Sequence, residues 1–492
     1  MKLSALLVVA VLLAGCSDFN RLALLKPRKV TLRVNDLSKP KSGAAISTPL
    51  PRGGLLPCVA WVDVQVEQRW QKVEGEWVAD GECVLRNVPP GETLVSSGQP
   101  TDTSWLTITR DDLDLGEDFI GRAFERAGPS TTVTLDLTNA APLAENSLLS
   151  LSLPEFGVGI FTFVNSSNPA IGVPVGMLGA TSFPVTLDWN ELPLVRADET
   201  ADVFQGEAVP ASVPPRWLLA RRGNTRVQPI SGRNIRVPVA MGAIGTRADP
   251  FAPFDFNPAT YYAAVTADMI NPFFAKASAQ QVAVVGGAFV GLTVQTTLLS
   301  DQAQSFSMPS TNVDPYPGVA WARRLEVTSI FGSQFGVVGN PPFGALYLQN
   351  VIQGPADELT WLTTGVLTPV RTIAARLRTG EAIEVGTLDS TTPVLRWELP
   401  RTGLANRYYV QPYEVLSEGD QVTFRVVDVT VVSDRNEAHI PPGVLQPGTN
   451  YVFVVQAENC TAADPARPRR QNIQETCALS EARSYRLRTA SQ

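Results

Sequence analysis

Apolar and polar residues alternate along most of the chain in runs of strand length, with Gly and Pro between the runs. Val62, Val64, Val66 and Trp70 alternate with Asp63, Gln65, Glu67 and Arg69, the period-two pattern of a half-buried strand, and Glu74-Gly75 offers a turn into a second strand from Trp77 to Val84. Short apolar runs recur at Leu151 to Leu153, Gly159 to Val164, Val185 to Leu187, Val282 to Val285, Leu292 to Leu299, Leu325 to Ile330 and Ala345 to Val351. Turn residues bound them, so strands are predicted. Two segments break the pattern: Tyr261 to Gln281 reads as a helix, and Asp111 to Ala127, which opens on acidic residues suited to a first helical turn, as another. The predicted fold class is all-β, a series of tandem β-sandwich domains.

Composition narrows the chemistry. The chain has 492 residues, 44% apolar and 18% charged, which fits neither disorder nor a multi-span membrane protein. At roughly 150 residues per folding unit it holds about three domains. Its net charge of -7 gives no electrostatic reason to expect nucleic acid as a partner. His439 is the only histidine, which removes most imidazole-based catalysis and most histidine metal sites.

The first segment, MKLSALLVVAVLLAGC, places Lys2 before an apolar stretch and small residues before Cys16. It has the layout of a secretory signal. Leu13-Ala14-Gly15-Cys16 resembles a bacterial lipobox, which implies cleavage before Cys16 and lipidation of that residue. In sorting rules known for some Gram-negative bacteria, aspartate directly after the cysteine holds the protein at the inner membrane. Here Ser17 stands there, so outer-membrane or cell-surface placement is favoured. Lys26, Arg28, Lys29, Arg33, Lys39 and Lys41 follow, a basic stretch able to attract anionic headgroups. The partner implied is a membrane, held through the N-terminal lipid.

With Cys16 lipidated, Cys58, Cys83, Cys460 and Cys477 remain, an even number in an exported chain. Three connectivities are possible, and local pairing, Cys58 with Cys83 and Cys460 with Cys477, is preferred. The first pair meets a difficulty. If Glu74-Gly75 closes the turn, Cys83 faces Val66, roughly 25 Å along the strand from Cys58 at about 3.3 Å per residue. The chain must then bend back near Pro57 or take another register.

Asp80-Gly81-Glu82-Cys83-Val84 through Val88-Pro89-Pro90-Gly91-Glu92 resembles the carboxypeptidase-regulatory, or prealbumin-like, β-sandwich, an accessory fold without chemistry of its own. Near the C-terminus, Leu395-Arg396-Trp397, then Tyr408 and Val410, then Leu445-Gln446-Pro447-Gly448-Thr449-Asn450-Tyr451 resemble a fibronectin type III domain. Leu445, Pro447 and Tyr451 match its tyrosine corner. Its closing strand falls at Ser484 to Thr489, and Cys460 with Cys477 implies a stapled loop before it. The order resembles bacterial envelope lipoproteins that end in such a domain. The organisation predicted is a lipoprotein signal peptide over 1–15, a lipidated tether over 16–29, a prealbumin-like sandwich over 30–140, β-rich structure of unnamed fold over 141–384, and a fibronectin type III-like domain over 385–490.

The chemistry-bearing motifs are sparse. His439 sits in Glu437-Ala438-His439-Ile440-Pro441-Pro442, which reads as a solvated loop. Ser38-Lys39-Pro40-Lys41 spells the S-x-x-K of penicillin-interacting enzymes, but a proline interrupts it. Asp188-Trp189-Asn190-Glu191 spells a glycosidase acid/base site and reads as an edge-strand turn around a packed Trp189. Asp111, Asp112, Asp114, Glu117 and Asp118 lack calcium-loop order. Trp70, Trp77 and Trp397 fall on apolar faces and are expected in cores. The pattern assigns no face to Trp61, Trp105, Trp217 and Trp321.

The sequence therefore predicts a non-enzymatic, lipid-anchored envelope protein, structural or protein-binding, with other envelope proteins or polysaccharide as partners. No cofactor, catalytic residue or metal ligand is assigned. The alternative is a carbohydrate-binding or polysaccharide-acting surface lipoprotein, with exposed tryptophans and a carboxylate pair between residues 141 and 384.

Overall fold

The computed structural model describes residues 27–39, 46–49, 58–64, 69–99, 102–108, 110–116, 118–120, 128–144, 147–153, 158–163, 176–190, 192, 194–197, 199–208, 216–244, 255–256, 258–267, 269–285, 292–299, 306–307, 321–337, 340–355, 366–460, 467 and 476–491. Cys16, the signal segment and most of the tether lie outside them. Nearly all described elements are strands, and the fold is all-β.

In the N-terminal sandwich, Arg28–Arg33 pairs antiparallel with Glu82–Val88 and parallel with Asp112–Asp114, and Glu76–Ala79 adds to the far side of Glu82–Val88. The facing sheet runs Arg69–Glu74, Val59–Val64, Glu92–Gln99, Asp102–Ile108. Val30, Leu32, Ala60, Val62, Leu85 and Val95 meet between them. The strand beginning near Val62 does not continue to Trp70. Instead the chain turns between Val64 and Arg69, and Arg69–Glu74 returns along Val59–Val64 with Asp63 opposite Trp70. This added hairpin brings Gly75 beside Cys58, whose carbonyl accepts from Gly75 N at 2.8 Å. Trp77 then pairs opposite Cys83. Cys58 and Cys83 are disulfide-bonded with Cα atoms 6.3 Å apart, so the difficulty over distance came from the assumed turn. A Cβ on residue 75 would run into both sulfurs and Leu85, which leaves room for glycine alone.

No helix forms over the described part of 111–127, which holds the short strands Asp112–Asp114 and Asp118–Ile120. The acids expected in a first helical turn instead partner a basic strand. Arg33 Nη1 lies 2.6 Å from Asp112 Oδ1, Arg28 Nη1 lies 3.1 Å from Asp111 Oδ1, and Asp114 Oδ1 accepts from Asn35 N.

The middle of the chain supplies a second core. Thr132–Thr138 lies between Phe183–Asp188, antiparallel, and Asn234–Ala240, parallel. The two Val-Thr-Leu-Asp segments are direct partners, with Val133 opposite Leu187 and Leu135 opposite Val185. Their apolar residues pack with Leu149, Leu151, Leu153, Val203 and Trp189. The expected helix over 261–281 is confined to Pro258–Thr266. Asn271, at φ 44°, and Pro272 end any helical continuation, and Pro272–Val285 is a strand. Tyr262 packs edge-on against Phe331 with centroids 5.7 Å apart.

At the C-terminus, one sheet orders Ala382–Ile383, Arg371–Arg376, Val394–Glu398 and Glu437–His439. The other places Arg407–Glu418 beside Gln421–Val426, Val429–Ser433 and Asn450–Cys460, with Cys477–Arg483 and Leu487–Thr489 beyond the last. This is a fibronectin type III-like sandwich. Trp397, Tyr408, Val410, Tyr451, Phe453 and Val455 fill it. Tyr451 accepts through its hydroxyl from Gln446 N at 2.9 Å, and Leu445 is buried beside it. The strand Arg371–Arg376 lies upstream of residue 385, where the sequence places the start of this unit. The last main strand begins at Cys477, ahead of the expected Ser484, and Cys477 is bonded to its cross-strand partner Cys460 at a Cα separation of 4.3 Å. Most of the loop between these cysteines lies outside the described residues.

Both edges and the outer face of the sheet that holds Asn450–Cys460 are occupied. Val429–Ser433 pairs parallel with Asp102–Ile108 of the N-terminal sandwich. On the opposite edge, Asn350 to Gln353 pair with Cys477 to Ser480. The hairpin of Trp321–Val337 and Asn340–Pro355 carries this last contact and crosses the sheet. Phe343 lies opposite Gln421, while Leu346 and Leu348 cover Val415, Val422, Val452 and Val454. A Cβ at Gly344 would overlap the Val422 carbonyl oxygen, so glycine permits the close crossing. Arg483 locks it from below. Its guanidinium stacks 3.7 Å from the Phe335 centroid and donates to Ser333 Oγ, Gln334 O and Ser484 O at 2.6, 2.8 and 3.0 Å. Burial lowers the Arg483 pKa to about 10, and raises that of Glu481, which accepts from Gln349 N on the same seam, to about 7.

Tyr451→Phe is expected to cost about 0.5–1.5 kcal/mol in urea unfolding, because the Gln446 amide loses the hydroxyl that accepts its hydrogen bond. Glu481 gives a pH dependence of defined sign. The folded protein holds its proton up to about pH 7 and the unfolded chain releases it near 4.5, so its contribution is complete below 4.5 and lost as pH rises to about 7. At about 1.4 kcal/mol per pH unit the loss is at most roughly 3.5 kcal/mol. Unfolding at pH 5 and pH 8 should show this decline in the native chain and a flatter profile in Glu481→Gln.

Candidate functional site

The outward face of the N-terminal sheet is set by register. Val62 and Val64 point into the sandwich, so Trp61 and Asp63 point out. Asp63 lies opposite Trp70 on one neighbouring strand and Glu92 on the other, which puts all three side chains on this face. Gly91, at φ +154°, passes so near that a Cβ would overlap the Asp63 carbonyl oxygen. Val88-Pro89-Pro90-Gly91 thereby delivers Glu92 next to Asp63. Two carboxylates directly across a ladder repel unless a cation joins them.

The C-terminal sandwich brings an imidazole and a guanidinium to them. Val394–Glu398 pairs with Glu437–His439; Leu395, Trp397 and Ala438 face its core, and His439 faces away from it, toward the N-terminal sheet. The imidazole Nδ1 lies 3.3 Å from Asp63 Oδ2 and Nε2 lies 3.2 Å from Glu92 Oε2. Trp70 closes one side, edge-on at 6.0 Å between ring centroids. Arg435 reaches Glu92 Oε2 at 3.4 Å and Glu437 Oε1 at 3.8 Å, and Arg396 pairs with the other Glu437 oxygen at 2.7 Å. Burial pushes the Glu92 carboxyl above its ordinary range, with His439 and Arg435 pulling the other way. Around this polar centre, Trp61, Trp70, Trp105 and Leu94 pack on the C-terminal core, and Val432 and Tyr409 on the N-terminal one. A cavity of about 490 Å³ adjoins it, lined by Arg396, Leu399, Ala405, Tyr408 and residues 434–437.

His439 is thus not a solvated loop residue. Its strand faces a second sandwich, and only 8% of the side chain is exposed. Glu437, Ala438, His439 and Ile440 do alternate in the sequence, but the face opposite Ala438 and Ile440 is buried by a partner some 350 residues upstream in sequence, roughly, at Asp63 and Glu92. No local signal carries that. The nearby hydroxyl of Ser433 donates to Glu437 O and accepts from Arg435 N, so it serves the turn rather than the imidazole.

The other sequence candidates remain dispersed. Cys16, Glu117 and Glu191 lie outside the described residues, as do Pro40 and Lys41; Ser38 is in the Asn35–Lys39 strand. Trp189 is fully buried, and Asn190 Oδ1 accepts from Thr131 N at 2.8 Å, which makes this segment a packed turn. Trp397 is core, whereas Trp70 and Trp77 are half-buried; the added hairpin turns Trp70 onto the outward face. The side chains of Trp217 and Trp321 fall outside the described set. Among the described residues, the remaining grouping of possible metal ligands is Glu458, Cys460 and Cys477, and the disulfide occupies its sulfurs.

No protein-family model matches the chain, and no curated protein matches it. Among solved structures, the crystal structure of chicken CNTN1 FN1-FN3 domains aligns with 72% of this chain and 91% of its own length, at 10% identity and a TM-score of 0.16. At that score the overlay carries no weight, and the fold assignment rests on strand order, register and the Tyr451 hydrogen bond.

Proposed function

We propose that the chain is an exported lipoprotein, anchored through Cys16, whose folded body is a rigid non-enzymatic module of the cell envelope, at the outer membrane or cell surface. The enclosure of the C-terminal sandwich carries the structural part of this reading. Both edges and the outer face of its sheet around Asn450–Cys460 are taken up by other parts of the same chain. Such a sandwich works as the block that orients the other two, and contacts with envelope partners fall to the surfaces those blocks present. The signal-like segment and the two disulfides support export.

Metabolic labelling with palmitate tests the anchor. The native chain should be labelled and sediment with membranes, and Cys16→Ser should lose the label entirely and leave the membrane fraction. Recovery of unlabelled native protein from the cytosol would refute the proposal. Reduction of the purified protein should also lower its stability, by about 3 kcal/mol for the Cys460–Cys477 loop alone on a loop-entropy argument; equal urea midpoints for the native chain and Cys460→Ser/Cys477→Ser would contradict it.

A further inference from the structure

We propose that Glu92, Glu437 and His439 form a binding site for a divalent transition-metal ion of the zinc class, at the seam between the N- and C-terminal sandwiches. One oxygen or nitrogen from each residue lies within 4.8 Å of the others, which small side-chain adjustments bring to the separations of metal ligands. One imidazole with two carboxylates suits zinc, manganese, cobalt or nickel better than calcium, which takes oxygen ligands only.

Three observations point to a ligand. Glu92 is enclosed, with 8% of its side chain exposed, yet among the described residues Oε1 has no hydrogen-bond partner. A buried carboxylate left in that state is costly. Second, Arg435, the cation shared by the two glutamates, is poorly seated, at 3.4 Å and 3.8 Å from them, beyond the 2.7–2.9 Å or so of a charge-assisted bond, while Arg396 holds only the other Glu437 oxygen, Oε2. Arg435 is 44% exposed and has room to leave. Third, His439 Nδ1 is buried without a hydrogen-bond partner among the described residues, with Asp63 Oδ2 3.3 Å away and within reach of a small adjustment, while Glu92 faces Nε2. A carboxylate behind one ring nitrogen orients the histidine and makes the other nitrogen a better ligand. In this arrangement His439 Nε2 and the two glutamates hold the ion, Asp63 positions the imidazole, Trp70 shields it, and Arg435 is the displaced competitor.

The tag-free mature chain, freed of metal by chelation, is titrated with zinc calorimetrically, and with cobalt while its visible absorption is followed. One equivalent should bind, with a cobalt band reporting nitrogen and oxygen ligation. His439→Gln should abolish binding, Glu437→Gln, at the most exposed ligand, should weaken it at least tenfold, and Asp63→Asn should weaken it about 10–100-fold. Arg435→Gln separates a metal site from a plain ion-pair seam: it should tighten zinc binding severalfold, since it removes the competing cation. Failure of the native chain to take up zinc or cobalt, or unchanged uptake in both His439→Gln and Glu437→Gln, would overturn the proposal. Should His439→Gln not fold, Glu437→Gln and Arg435→Gln still decide it.

Discussion

The architecture depends on one strand, Asn450–Cys460, being buried on both faces. Tyr451, Phe453, Val455 and Ala457 point into the C-terminal sandwich, and Val452 and Val454 point the other way, into a second apolar layer under Leu346 and Leu348. A sandwich strand ordinarily alternates between core and solvent. Here the outward residues are apolar as well, and each fully buried aliphatic side chain is worth about 1.5–3 kcal/mol. That layer holds the long hairpin across the sheet. Arg483 acts with it, since a buried guanidinium satisfied by Ser333, Gln334 and Ser484 fixes the hairpin's position where apolar contact alone would tolerate sliding.

Once the hairpin is in place, the molecule ceases to be a set of independent beads. The backbone ladder runs from Arg69–Glu74 through the N-terminal sheet, across Asp102–Ile108 to Val429–Ser433, through the C-terminal sheet, and out by Cys477–Arg483 to the long hairpin and the central strands. Edge strands are the positions at which a sandwich most readily recruits another chain. In the sheet built around Asn450–Cys460 both edges are spent internally, on Asp102–Ile108 and on the long hairpin.

Much of this was legible locally. The apolar runs from Leu151 to Val351 fall in strands over their described residues, and Trp397, Tyr408 and Tyr451 take the positions their fibronectin-like spacing implies. Errors arose where a local pattern had two continuations. Val62 to Trp70 reads as one strand because its alternation fails only at Gln68, yet Arg69–Glu74 instead runs back along Val59–Val64, and that reversal is what brings Cys58 to Cys83. The acids at 111–114 suit a helix start equally well until Arg28 and Arg33 are placed beside them. What sequence could not convey was contact between surfaces far apart in the chain: His439 with Asp63 and Glu92, and Gly344 against Val422.

The polar seam and the apolar seams divide the work between them. Replacing a buried ion network by apolar residues is often neutral or favourable, so Asp63, Glu92, Arg435, Glu437 and His439 contribute little net stability as charges. Trp61, Trp70, Trp105 and Leu94, packed on the C-terminal core, supply the adhesion. An apolar patch of that kind accepts several rotations of one sheet on another. A histidine held between two carboxylates accepts few, because any shift that separates Nδ1 from Asp63 or Nε2 from Glu92 loses the close approaches of 3.3 and 3.2 Å in a largely enclosed site. The energetic cost of the network is therefore the source of the fixed angle between the two sandwiches, and a cation bound there would strengthen the same constraint.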